Sequence, residues 1–410
     1  MTTGPTPEPR EHGSSPTSGE HSRALTEILV RRIRASGPIS FAEFMRECLY
    51  HPEFGYYSRP EARHFGDYYT SVDVHPIFGR LLARQLAEMW HALDCPTEFL
   101  VVETGAGTGG LAAQVLDFAV RALPDFYQAL RYVAVEQSPA RRHAHPERLA
   151  AHVSRGRAIS AAELPREIPE GCILSNELFD ALPVHRVLCK KGALHEMFVG
   201  LRAGSAGDDL VEGFPGSAMQ SGELQERPGP LSSPEIEEYF LEQGITLREG
   251  QFGEAGLEVC RWFLDAGRRL GRGFVLTIDY GYEARELYGE RHLRGTLLAY
   301  SRHRVSENFL DAPGEQDLTA HVNFTALDVW GGRAGLARTG CVSQMAFLVG
   351  LGRANEFADL YAPDASEVEK IRARLLLKTL LHPEGMGGTF QVCVHHKGIS
   401  APRLTGLQGI

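Results

Sequence analysis

The sequence lacks the features that would assign it to several large classes. It has no run of about 18 apolar residues, the length a membrane-spanning helix needs. It has no basic excess either. Its 42 Lys and Arg stand against 52 Asp and Glu, a net charge of −10, so the basic patch of a nucleic-acid binder is not expected. A solvated acidic surface is the plainest account of that charge. The seven cysteines, at 48, 95, 172, 189, 260, 341 and 393, form no C-x-x-C pair, and their number is odd. Several lie in apolar runs, where reduced core thiols are the default. No disulfide framework and no metal site is expected, and a reducing, cytoplasmic location follows. The first 24 residues carry no apolar stretch of a secretory signal and, with three Glu, are too acidic for a transit peptide. Their Pro, Gly, Ser and Thr predict a disordered tail.

Ordered structure is expected from Leu25 onward. "ALTEILVRRIRASG" places Leu25, Ile28, Leu29 and Ile33 at helical spacing and stops at Gly37-Pro38. Ser40 can cap a second helix, with Glu43 in its first turn. An aromatic, glycine-bearing loop and a further helix complete an N-terminal segment, 25–97. The chain then alternates short apolar strands with helices: "FLVVE", "RYVAVE", "CILSNE" and "GFVLTIDYG" read as strands of a parallel α/β sheet covered on both faces. Residues 98–183 and 232–398 would form this core, with 399–410 a second tail. The rhythm breaks over 184–231. Its first half reads as strand–turn–strand around Lys191-Gly192 and its second half as loop. A segment that long, inserted into a compact sheet, suits a substrate-binding subdomain.

"FLVVETGAGTGGLAAQVL" runs from a strand through a glycine turn into a helix. Glycines there let the backbone turn sharply and let a ligand approach the helix N-terminus. Gly105, Gly107 and Gly110 also satisfy the dinucleotide pattern G-x-G-x-x-G, so the turn by itself leaves the ligand open. Two acids narrow it. Glu103, just before the turn, repels a pyrophosphate and suits a cation. Glu136, ending the next strand, can accept both hydroxyls of a ribose. A positively charged nucleoside without phosphate, S-adenosylmethionine, fits these residues better than a nicotinamide dinucleotide.

Several segments together resemble the MidA family of class I, S-adenosylmethionine-dependent methyltransferases. They are "GPISFAEFMRECLYHPEFGYY", "FGDYYTSVDVHPIFGRLLARQL", "VVETGAGTGGLAAQVL", "SNELFDALPVHR" and "TIDYGY", with "GTLLAYSRHRVSENFLDAPGEQDLTAHVNFTAL" and "HPEGMGGTFQVCVHHKG" toward the C-terminus. The likeness spans roughly residues 22–398. The chain departs from the family pattern at Tyr68, Gly256 and Thr104. The resemblance implies a Rossmann-like sheet and, through the family's complex I assembly factor, methylation of arginine on a protein. It assigns the cofactor turn to Gly105, Gly107 and Gly109, the ribose to Glu136, and a covering loop to Gly66, Asp67 and Thr70.

In open α/β sheets ligands bind at the carboxyl ends of the strands. Asn176, Glu177 and Asp180 lie there, as does Asp279. A protonated guanidinium is a poor nucleophile, and carboxylates can orient it and draw its charge away from the attacking nitrogen. Glu177 is the first candidate for that role and Asp180 the second. Asp279 would accept the released proton or touch the substrate. His321 and Asn323 read more readily as structural, and Arg302, His303 and Arg304 as a solvated loop. A protein or peptide substrate is expected. A small-molecule O- or N-methyltransferase, and an assembly chaperone that binds the cofactor without transfer, are the alternatives. A homodimer is compatible with the sequence.

Overall fold

The computed structural model describes residues 18–58, 71–202, 220–221, 223–301, 304–361 and 364–408. Its centre is a sheet whose seven long strands we number in chain order: β1 (Phe99–Thr104), β2 (Leu130–Val135), β3 (Ala158–Ala161), β4 (Ile168–Asn176), β5 (Leu270–Tyr282), β6 (Ala337–Ser343) and β7 (Phe390–Lys397). Their spatial order is β6-β7-β5-β4-β1-β2-β3. All neighbours are parallel except at β7, which runs antiparallel to both β5 and β6. A two-residue strand, Val322–Asn323, extends the end of β5.

The apolar runs of the strands follow from coverage on both faces. In β1, Phe99 and Val101 pack among helices Ile77–Ala92 and Gly110–Ala122. Val102 packs on the opposite face, in the cluster that holds Phe263 of helix Leu257–Arg269 and Leu327 of helix Phe324–Gly332. The strand order reverses between β1 and β4, which opens a crevice at their carboxyl ends.

The insertion is an antiparallel sheet. Strands His185–Lys190 and Ala193–Leu201 form the expected hairpin, with Lys191 (φ +54°) and Gly192 (φ +74°) in its turn. Both turn N–H groups donate to the Glu249 carboxylate, at 2.8 and 3.1 Å. Two expectations change here. Leu224–Gly229 is a strand of this sheet and not a loop. The sheet also does not end at 231, because Phe252–Ala255 pairs with His185–Lys190. Ile39–Ser40 adds to Ala193–Leu201 from the N-terminal segment.

The termini are also more ordered than composition suggested. The first helix runs Ser18–Ser36, beginning inside the expected tail, and buries Leu25, Leu29, Val30 and Ile33, with Val30 in place of Ile28. Ser40 and Glu43 form the predicted capping box. At the other end, Leu404 is buried, and the Thr405 N–H and hydroxyl both donate to the Glu88 carboxylate. Residues 404–407 therefore pack against the core, with the Thr405 and Gly406 N–H groups satisfied by Glu88 and Gln85 of the helix Ile77–Ala92.

All seven cysteines are free thiols. Among the described residues no helix is long and apolar enough to cross a membrane, and no cluster of His, Cys, Asp or Glu is placed to hold a metal ion.

Candidate active site

The glycine turn joins β1 to helix Gly110–Ala122. Gly105, Gly107 and Gly109 have φ of +69°, +55° and +80°, a region L side chains adopt only with strain. A Cβ at Gly105 would lie 2.9 Å from Leu178, so the turn packs directly against the segment that follows β4. Beside Gly107 a Cβ would meet nothing within 4 Å. This is the open side of the turn.

Glu136 follows β2 and lies under that opening. Its carboxylate accepts from the N–H groups of Gly107 and Ser138, each at 2.8 Å. A carboxylate has about four acceptor positions, so capacity remains for a pair of hydroxyls. His145 braces the turn from behind, with Nε2 2.9 Å from the Gly107 carbonyl and Nδ1 2.8 Å from the Ser160 hydroxyl.

Glu103 corrects an expectation. It shares the face of β1 with Phe99 and Val101, is 4% exposed, and accepts from the Tyr132 hydroxyl at 2.8 Å. Burial is the main cause that raises its pKa to about 8, with the Tyr132 and Ala112 donors opposing. It supports the turn from beneath as a largely neutral acid and does not present a negative charge to a ligand.

β4 ends in a strained elbow. Glu177 has φ +51°, left-handed for a residue with a side chain. Its N–H donates to the Ile278 carbonyl at 2.9 Å. Asp279, on β5, holds the rest of the turn. Its Oδ2 accepts from the N–H groups of Leu178 (3.1 Å) and Phe179 (2.8 Å), and its Oδ1 from that of Tyr280 (3.0 Å). Asp279 is fully buried, so it does not meet substrate as expected. Burial and the charges of Asp180 and Glu177 push its pKa well up.

Glu177 is held from the N-terminal side too. Its Oε1 accepts from the Ser71 N–H at 3.0 Å and from Asn176 Nδ2 at 3.3 Å. Burial raises its pKa to about 8, and the Ser71 N–H opposes. Asn176 leaves Oδ1 buried without a partner among the described residues. Asp180 does the same with its own Oδ1. Its pKa rises to about 6, chiefly through burial, against the Tyr280 hydroxyl and the Ala181 N–H. The elbow thus gathers Asn176, Glu177 and Asp180 next to the glycine turn, joined through the contact between Leu178 and Gly105.

Gly66, Asp67 and Thr70 lie outside the described residues, as do Arg302 and His303. Ser71, adjacent to Thr70, is the partner that residue-type reasoning passed over. Its contact with Glu177 spans 106 positions in sequence, and nothing local marks it. Asn323 is structural: its Oδ1 caps the helix Phe324–Gly332 at the Ala326 N–H, and its Nδ2 bonds Tyr239 and Gln243. His321 packs against Tyr280 and Tyr282, where burial lowers its pKa to about 4.

Comparison with known proteins bears on this geometry. Residues 81–342 match the family model described as "Putative S-adenosyl-L-methionine-dependent methyltransferase". The mitochondrial protein arginine methyltransferase NDUFAF7 homolog of Drosophila melanogaster is 28% identical, the match covering 98% of this chain and 90% of that protein. Human mitochondrial protein arginine methyltransferase NDUFAF7 is also 28% identical, over 92% of this chain and 84% of that one. A crystal structure of a COG1565 superfamily member from Burkholderia thailandensis, bound to S-adenosyl-homocysteine, superposes with a TM-score of 0.81 at 28% identity, covering 99% and 98% of the two chains. The cytoplasmic location expected from sequence is overturned by the curated relatives, which are named as mitochondrial. Location is an address read by receptors, and composition alone reports it poorly. With the family model matching well over half of its length, the chain belongs to the S-adenosyl-L-methionine-dependent methyltransferases.

Proposed function

We propose that the protein methylates arginine side chains of a protein substrate. The carrying observation is the elbow after β4, where Asn176, Glu177 and Asp180 stand at the carboxyl edge of the sheet beside the cofactor turn. The names of the mitochondrial relatives supply the substrate class.

S-adenosyl-L-methionine, when bound, supplies an already activated methyl group. The open side of Gly107 and the spare acceptor capacity of Glu136 fit its ribose, and Gly105 and Gly109 let the backbone bend around it. What this chain must add is alignment and exclusion of water. Glu177 is the residue we assign to orient the guanidinium, since its carboxyl is anchored on one side by the Ser71 N–H and by Asn176. As a carboxylate it accepts two guanidinium N–H groups and concentrates positive charge away from the attacking nitrogen. Asp180, with one oxygen unpartnered, is the nearby acid suited to take up the proton released on transfer. Asp279 acts through the backbone of the elbow as a positioning residue.

The test is incubation with methyl-labelled cofactor and a cell lysate, followed by acid hydrolysis. Labelled methylarginine is the expected product. Label confined to a small molecule would replace the arginine reading with a small-molecule one. Absence of any transferred label would favour a cofactor-binding chaperone.

A further inference from the structure

Two thiols face each other at the edge of the central sheet. β6 is the edge strand, and its Cys341 is the direct antiparallel partner of Cys393 on β7. Directly opposed residues of an antiparallel pair project to the same face, with their Cα atoms about 4.5 or 5.5 Å apart. Both spacings fall within the roughly 4.4–6.8 Å that a disulfide spans. The packing agrees with the register. Cys393 is buried in the cluster that holds Phe263 and Val275, and Cys341 packs against that cluster. Val342, Val392 and Val394 pack in the cluster on the opposite face. The Cys341 thiol is a hydrogen-bonding neighbour of the Cys393 thiol.

The two thiols differ in access. Cys393 has no exposed surface, whereas Cys341 is partly exposed, so an oxidant meets Cys341 first. Burial holds the Cys393 thiol protonated, and the Arg338 guanidinium opposes that by favouring its thiolate. Arg338 is fixed by Asp328 at 2.8 Å and Glu283 at 2.5 Å. The other five cysteines have no such partner. Cys172 faces Val101 and Phe274, and Cys189 faces Leu194. Cys48, Cys95 and Cys260 lie outside the strands.

We propose that Cys341 and Cys393 form a site of reversible oxidation, closing to an intramolecular disulfide when the protein meets a peroxide. The Cys341 thiolate attacks one oxygen of hydrogen peroxide. The O–O bond breaks, and hydroxide leaves and takes up the proton that Cys341 had released. Cys341 is now a sulfenic acid, and the sulfur of Cys393 attacks its sulfur. The S–S bond forms as the S–O bond breaks, and the oxygen departs with the Cys393 proton as a second water. Two thiols are oxidised and one peroxide is reduced to two waters. Directly opposed Cβ atoms lie about 4.5–5.5 Å apart, against about 3.8 Å in a disulfide, so closure draws the strands together. Bonds made under such tension are the readily reduced ones, and a dithiol reverses the step by exchange.

The experiment treats the dilute native protein with stoichiometric hydrogen peroxide, blocks free thiols with N-ethylmaleimide and reads the unreduced digest by mass spectrometry. Wild type should yield an intramolecular cross-link between Cys341 and Cys393 that dithiothreitol releases. Cys393→Ser should give no cross-link, and trapping of sulfenic acid at Cys341 by dimedone should rise at least about 10-fold over wild type, because the resolving sulfur is gone. Cys341→Ser should leave Cys393 a thiol. Wild type unfolded in concentrated urea before oxidation should lose the preference for this pair, a control that depends on no variant folding. A native wild type that keeps both thiols, that accumulates oxidised Cys341 without the cross-link, or that links either cysteine elsewhere would overturn the proposal. So would a preference for the pair that survives urea.

Discussion

The two halves of the crevice are built differently. The cofactor half is local and made largely of backbone: Gly105 to Gly109 supply the curvature, and Glu136 follows the adjacent strand and is tied to Gly107 by one hydrogen bond. The half we propose for the acceptor draws on stretches far apart in sequence, around Ser71, the elbow at 176–180, and Asp279 and Tyr280. A nucleoside held by main-chain shape needs few particular side chains. An acceptor selected by charge needs acids withdrawn from water, which only surrounding tertiary structure can provide.

Substitutions should separate the halves. The largest effect belongs to Glu177→Gln, expected to lower turnover about 10³-fold while S-adenosyl-homocysteine affinity stays within a factor of two. Parallel loss of cofactor affinity would merge the two halves into one. Asp279→Ala should come next, as a stability effect. It strands the N–H groups of Leu178, Phe179 and Tyr280 in the interior, costing about 3 kcal/mol or more in denaturant unfolding. Glu136→Ala should act in the opposite sense to Glu177→Gln: calorimetry should show cofactor affinity about 30-fold weaker, with the fold retained.

The pH dependence gives a smaller and graded signal. Glu177 titrates near 8 in the folded protein against an ordinary 4.5, so its protonated form is favoured by folding. That contribution to stability is complete below about 4.5 and is lost as pH rises toward 8. Activity should run the other way. If the carboxylate orients the acceptor, kcat/KM climbs with pH through the same region by up to about 10-fold per unit, and Glu177→Gln flattens the profile. A wild-type profile already flat from pH 6 to 9 would remove Glu177 from this role. The smallest effect is expected at Glu103→Gln. The buried acid is largely neutral near pH 7, so an amide of the same shape should change stability by no more than about 1 kcal/mol and leave cofactor affinity unchanged.

Much of this was legible in the chain. Periodicity marked the strands, the glycines marked the turn, and polar residues at strand ends marked Glu136 and the elbow. The same reasoning misjudged Glu103 and Asp279, because type and strand position do not tell which face a side chain takes or whether backbone N–H groups already occupy it. It also stopped the insertion at 231, since the strand Phe252–Ala255 is four residues long and is stabilised by pairing with His185–Lys190, not by its own composition.

The sequence by itself determined the alternation of strands and helices and the glycine bend, because each depends on residues within a few positions of one another. Tertiary structure alone decided that Ser71 braces Glu177 and that Asp279 serves the backbone. Those outcomes depend on burial and on contacts between residues about a hundred or more positions apart, and the free energy of a carboxyl group is set by what surrounds it in space.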